Sequence, residues 1–223
     1  MHKEMYIFKS HPAEEYQMFK ERMFDLTSAI SDDIRPDNLK IILTEEAPPG
    51  FSIIPFRKEK VAVISVTRET DDVLGIITKS NGFQGGYHVE EAVPVAYKKD
   101  WENKQPTPGV CLLTLFHRKP EIDQDTFIRR WHDGHTPLSL RLHPLWNYNR
   151  NVVKNTITES AVWYDGIVEE QFRSRSELLN PLKFFGPSWK VPYHMFLVYR
   201  DTVSFIDMKK IETYLATEYQ ILG

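Results

Sequence analysis

Leu115-Phe116-His117-Arg118-Lys119-Pro120-Glu121-Ile122-Asp123-Gln124-Asp125-Thr126-Phe127-Ile128-Arg129-Arg130-Trp131 decides the fold, because it passes from an apolar run through a proline turn into a helix. The run it closes, Val110 to Phe116, has the length and apolarity of a buried strand. Asp123 supplies a side-chain oxygen for the first free N–H groups of a helix. Beyond it Phe127, Trp131 and His135 recur at every fourth position, and Leu138 and Leu142 continue the stripe, so one helical face is apolar and carries a histidine. The same plan stands 108 residues earlier. Phe8 occupies the place of Phe116, Pro12 that of Pro120, Phe19 that of Phe127, Arg22 that of Arg130 and Asp25 that of Asp133. The offset also pairs Ile64 with Phe172. One offset that serves several places predicts an internal duplication.

Each half then reads as strand, helix, strand, strand, short helix, strand. In the first half the expected elements are 5–9, 14–30, 39–44, 61–67, 72–78 and 87–96. In the second they are 110–117, 124–142, 148–156, 165–172, a weak turn at 175–179, and 193–199. This order predicts an α+β fold of two tandem ferredoxin-like half-domains whose antiparallel sheets pack together as an α+β barrel within one chain. The expected units are residues 1–100, a Pro- and Gly-bearing linker at 101–109, and residues 110–223. A C-terminal helix capped by Asp207 is expected at the end of the second unit, with Met208, Ile211, Leu215 and Leu222 on its apolar face. Asn81-Gly82-Phe83-Gln84-Gly85-Gly86 is too loose for a nucleotide-binding fingerprint and reads as a flexible turn.

The composition, with 41% hydrophobic and 26% charged residues, is that of an ordinary globular chain. A formal charge of −3 argues against nucleic acid or an anionic membrane as partner. No apolar stretch approaches the roughly 20 residues of a membrane span, and the N-terminus lacks a signal-peptide layout. The lone Cys111 lies in an apolar run and reads as a core residue in a reducing, cytoplasmic setting. A single chain with an internal pseudo-dimer, or a homodimer, fits the duplicated plan.

Chemistry concentrates in the second half. Pro137 has no N–H for the carbonyl of Asp133, so the helix should kink near Gly134-His135 and open space beside the imidazole. His135 is therefore the candidate acid or base; its counterpart in the first half, at the same offset, is Thr27. In the strand Asp165 to Phe172 either register puts a carboxylate on a face with apolar residues, so Glu169 or Glu170 should be buried, with a raised pKa or a cationic partner. Glu169 is taken as the partner of His135. Phe127 and Trp131 would form an apolar wall, and Tyr148, Asn149 and Tyr164 would orient a ligand. His132 and His135, three apart, could bring both rings to one ion, with Asp133 adding an oxygen. Yet His132 follows Ile128 on a neighbouring face, and no His-x-x-x-His or Cys pair supports a site. His143 reads as a helix-end residue, and neither metal nor cofactor is expected.

The second half resembles an EthD-like domain of the dimeric α+β barrel superfamily. The resemblance is carried by Leu115-Phe116-His117-Arg118-Lys119-Pro120, by Phe127, Trp131 and His135-Thr136-Pro137-Leu138, and by Trp163-Tyr164-Asp165-Gly166 leading through Glu169 to Phe172. It implies a small-molecule enzyme of catabolic or polyketide-type metabolism, acting on an apolar, oxygen-bearing substrate by proton transfer at His135. Cofactor-free oxygenases, cyclases and isomerases all occur on this fold. The alternatives are a non-catalytic protein that binds a hydrophobic ligand and a haem- or metal-dependent oxidoreductase.

Overall fold

The computed structural model describes residues 2–68 and 73–223. The first half runs β1 (His2–Lys9), α1 (Tyr16–Asp33), β2 (Asn38–Leu43), β3 (Val61–Arg68), α2 (Leu74–Ile77) and β4 (Phe83–Val95). The second runs β5 (Val110–Phe116), α3 (Gln124–Arg129), a π-helical turn (Arg130–His135), α4 (Thr136–Leu142), β6 (Asn147–Thr156), β7 (Gly166–Phe172), α5 (Arg175–Leu179), α6 (Pro181–Phe184), α7 (Val191–Thr202) and β8 (Glu212–Leu222). The expected start of the short helix at Asp72 lies outside the described residues.

Both halves arrange their strands in the same order, β4-β1-β3-β2 and β8-β5-β7-β6. The free edges then pair crosswise, β2 with β8 and β4 with β6, all antiparallel. A closed barrel results, which leaves no open edge among these strands. Every strand buries one face in the lumen, where Met5, Ile7, Val63, Leu113, Ile167 and Tyr214 pack together. The other face meets a helix. In the first half Phe19, Met23 and Ile30 of α1 lie on Phe8, Ile41 and Ile64; in the second Phe127 and Trp131 lie on Phe116 and Val168.

Three expectations are corrected. The segment 193–199 is not the last strand but part of α7, with Pro192 in its first turn. Its exposed Tyr193, Phe196 and Tyr199 have strand-like chemistry, whereas the residues turned toward the protein, Val191, Val198 and Thr202, recur at helical spacing. The C-terminal helix is instead the strand β8. Tyr214 faces the lumen while Leu215 packs on the helix layer; burial on both sides removes the polar alternation that would have marked a strand. Finally, β4 begins at Phe83, so the expected turn is already sheet from that residue onward. Gly86 is needed there, because a Cβ would stand 2.8 Å from the Tyr6 ring.

The repeat is also sharpened. Phe8 pairs with Ala62 and Phe116 with Gly166, so the offset falls from 108 in β1 and β5 to 104 in β3 and β7. Ile64 therefore matches Val168 rather than Phe172, a shift of four that keeps the same strand face.

Candidate functional site between helices and sheet

The helix that carries His135 is not uniform. Its middle widens into the π-turn, closed by a bond from the Thr136 N–H to the carbonyl of Trp131, five residues back. The extra residue delays the helical phase by one position. After it the buried residues are Thr136, Ser139 and His143, not the expected Leu138 and Leu142. Pro137, in the first turn of α4, has no N–H to donate to a four-residue bond, which fits this widening.

The turn leaves a cavity of 150 Å³ between the outer face of β5, β7 and β8 and the layer of α4 and α7. Its walls are largely apolar: Trp131, Phe205, Ile206 and Val168 among them. Among the groups able to exchange protons that border it are His135, Ser139, His143, Tyr148 and Glu170.

His135 is held from both ends. Its Nδ1 lies 2.6 Å from Oδ2 of Asp201 on α7, and its Nε2 lies 3.1 Å from Oγ of Ser139 one helical turn on. An Asp at Nδ1 favours a proton there and leaves Nε2 as the acceptor for the Ser139 hydroxyl. His143 is locked differently. It stacks on Phe184 at 4.0 Å, and its Nδ1 is 3.0 Å from the Phe184 carbonyl oxygen. A carbonyl only accepts, so Nδ1 carries the proton. Burial pushes the His143 pKa down to about 4 despite that bond, and the ring is neutral near pH 7.

Glu170 stands alone. Among the described residues its carboxylate makes no hydrogen bond and no ion pair, and burial raises its pKa to about 7. Its remaining exposure is partial, on a strand whose other residues are buried. Tyr148 is its direct partner across the β6–β7 ladder. The Tyr148 hydroxyl accepts from Trp131 Nε1 at 3.4 Å, which leaves its own proton free to donate.

Of the residues singled out in the sequence, Trp131, His135 and Tyr148 line one cavity. Phe127 stands behind them, 5.4 Å from Trp131 between ring centres, and supports the wall without lining it. Glu169, Asn149 and Tyr164 point the other way, into the barrel lumen. Glu169 contacts Lys3 at 3.6 Å and pairs with Lys40; Asn149 donates to Glu169 at 3.3 Å and to Glu91 at 3.1 Å. Burial alone would raise the Glu169 pKa, but Lys3 and Lys40 outweigh it and hold it at about 2. Tyr164 donates to Glu212 at 3.1 Å. The carboxylate that faces His135's cavity is thus Glu170, and Glu169 is a permanently ionised strut.

Sequence reading missed Glu170's priority, Ser139 and Asp201. Strand alternation does separate Glu169 from Glu170, and the shared face of Tyr148 and Glu170 becomes evident once the β6–β7 register is known. Nothing local marks Asp201, which lies 66 residues from His135. Among the described residues no group of three His, Cys, Asp or Glu side chains is arranged to hold a metal ion.

Among the described residues, the positions of the first half that correspond to this site carry different chemistry. By the register, Leu39 and Val66 stand where the second half has Tyr148 and Glu170, and by the repeat Met23 and Thr27 stand for Trp131 and His135. Leu39, Val66 and Met23 belong to one apolar core, and Thr27 spends its hydroxyl on the Phe24 carbonyl at 2.9 Å.

The barrel is shared with solved structures. An anthrone oxidase-like protein matches 100% of this chain and 92% of its own, with a TM-score of 0.60 at 12% identity. A protein from Fusobacterium nucleatum subsp. nucleatum, described as a "putative monooxygenase", matches 99% of this chain and 92% of its own, with a TM-score of 0.53 at 9% identity. The likeness is one of fold. No protein-family model matches the chain, and no curated protein matches it. No helix among the described residues is long and apolar enough to cross a membrane.

Proposed function

We propose that the chain is a cofactor-independent, EthD-like enzyme that moves a proton on a small, apolar, oxygen-bearing molecule held between the helices and the sheet of its second half. The observation that carries this reading is Glu170: a carboxylate without a partner, titrating near 7, in an apolar cavity. A base tuned to the working pH is what abstraction of a weakly acidic C–H or O–H proton requires. Tyr148, beside it, supplies a donor for the oxygen on which negative charge develops. His135, oriented by Asp201, is the second proton carrier and reaches the cavity through the Ser139 hydroxyl.

Cavity size narrows the substrate. A void of 150 Å³ is about the size that accepts one benzene ring. A single-ring ketone or phenol fits it. Loss of the proton gives an enolate or phenolate, from which isomerisation, cyclisation or reaction with oxygen can follow. One chain lines the whole site and closes its own barrel, so this reading needs no residue from a second chain.

The test is solvent-deuterium exchange into a panel of single-ring ketones, followed by NMR. The expected result is exchange that rises with pH through about 7 and falls on the order of 10²–10⁴-fold in Glu170→Gln. Ligands that bind and emerge unexchanged would instead establish a hydrophobic-ligand carrier. Exchange that survives both Glu170→Gln and His135→Ala would place the chemistry elsewhere.

A further inference from the structure

The contacts of His135 do more than orient a base. An aspartate oxygen at 2.6 Å from Nδ1 and a serine oxygen at 3.1 Å from Nε2 are the relationships by which an imidazole activates a hydroxyl nucleophile. The roles are consistent with every proton: Asp201 accepts from Nδ1–H, Nε2 accepts from Ser139 Oγ–H, and no other group competes for the serine among the described residues. Ser139 borders the cavity, so an acyl group lodged there lies against its oxygen. The helical geometry makes the pair rigid. His135 closes the π-turn and Ser139 follows four residues later in α4, so both side chains project from one helical face.

We propose that Ser139 is a nucleophile, activated by His135 and Asp201, that accepts the acyl group of small apolar esters or thioesters in this cavity. Ser139 Oγ bonds to the carbonyl carbon and its proton passes to His135 Nε2. The carbonyl–oxygen or carbonyl–sulfur bond then breaks, and the leaving alcohol or thiol takes that proton. Water attacks the acyl-serine, gives a proton to Nε2, and Ser139 leaves with it while a carboxylic acid is released. The Tyr148 hydroxyl is the donor placed to meet the developing oxyanion. This activity goes beyond the proton-transfer proposal: it shares His135, Asp201, Ser139 and Tyr148 with that reading but makes Ser139 a nucleophile. Glu170, the base of that reading, takes no part in the acyl transfer.

The whole protein is treated with a short-chain alkyl fluorophosphonate, and the adduct is located by peptide mass mapping. Hydrolysis of p-nitrophenyl butyrate is measured in parallel. The expected result is one phosphonyl group per chain on Ser139 of the unaltered protein. His135→Ala and Asp201→Asn should slow labelling on the order of 10²–10⁴-fold. The same unaltered protein is assayed for deuterium exchange into single-ring ketones; labelling of Ser139 without exchange, or exchange without labelling, separates this proposal from the preceding one. An absent adduct, an adduct at another residue, or labelling of Ser139 that His135→Ala leaves at full rate would overturn it. The mapping on the unaltered chain keeps the result decisive even where a variant folds poorly.

Discussion

Two adjacent glutamates in β7 show how far an environment can separate identical side chains. Glu169 faces Lys3 and Lys40 in the lumen and titrates at about 2; Glu170 faces an apolar cavity and titrates at about 7. Glu170 is ordinarily half-ionised near 4.5, so its folded-state pKa is raised. Its contribution to stability is therefore complete below about 4.5 and is lost as the pH rises through 7. The shift corresponds to about 3 kcal/mol of cost to ionise in place, an upper bound because the cavity admits some solvent. Glu170→Gln should accordingly raise the melting temperature at pH 8 and change it little at pH 4.5. A variant that is no more stable at pH 8 would show the carboxylate to be solvated. Replacement of His135 by Ala should remove turnover of an exchangeable substrate in a protein whose circular dichroism shows it still folded. Unchanged turnover in a folded His135→Ala protein would remove this residue from the mechanism.

At the scale of elements, the decisive feature is a single extra residue in a helical turn. Arg130 to His135 adopt π geometry, and the phase of everything after it moves by one. Ser139 and His143 thereby come to the cavity in place of Leu138 and Leu142. The strand under this turn is shaped to match. Gly166 gives the Phe116 and Trp131 rings room; a Cβ there would lie 2.4 Å from Phe116 Cζ and 2.8 Å from Trp131 Cη2. Gly166→Ala should cost about 1–3 kcal/mol, the usual penalty of overpacking a filled core, and should alter tryptophan fluorescence as Trp131 shifts. Equilibrium urea unfolding measures the first effect, and an unchanged midpoint would mean that β7 bends away freely. The strand-to-helix exchange at the C-terminus belongs to this scale too. On α7 the large apolar residues Tyr193, Phe196 and Tyr199 are exposed, and β8 buries apolar residues on both faces, so periodicity in one dimension misassigned both.

For the molecule as a whole, the barrel is closed by contacts between halves, and a charged cluster ties them. Lys3 and Lys40 come from the first half and Glu169 and Glu218 from the second. Lys40 pairs with Glu169 and lies 3.3 Å from Glu218. Burial alone would lower the Lys40 pKa, but the two carboxylates more than compensate and raise it. Lys40→Met leaves Glu169 buried and short of a partner and should destabilise the fold by about 3–5 kcal/mol. The double variant Lys40→Met, Glu169→Gln should recover part of that loss, because Glu169 is then neutral while the buried Glu218 still lacks Lys40. Denaturant midpoints of the two proteins make the comparison; a single variant as stable as the parent would show that water reaches the lumen. Glu169 has the opposite sign to Glu170. Its depressed pKa contributes stability above its ordinary value of 4.5, which is lost as the pH falls through about 2.

Local chemistry, read along the chain, determined the two-fold plan and the β1–α1 and β5–α3 units. Each rests on side chains whose burial period is set within a dozen residues, or on a repeat that needs no geometry. The tertiary structure alone decided that the sheets close edge to edge, that Glu170 rather than Glu169 faces His135, and that Asp201 completes the histidine's contacts. Those outcomes depend on strand register and on residues brought together across 66 positions, where a slip of one residue would exchange the lumen for the cavity.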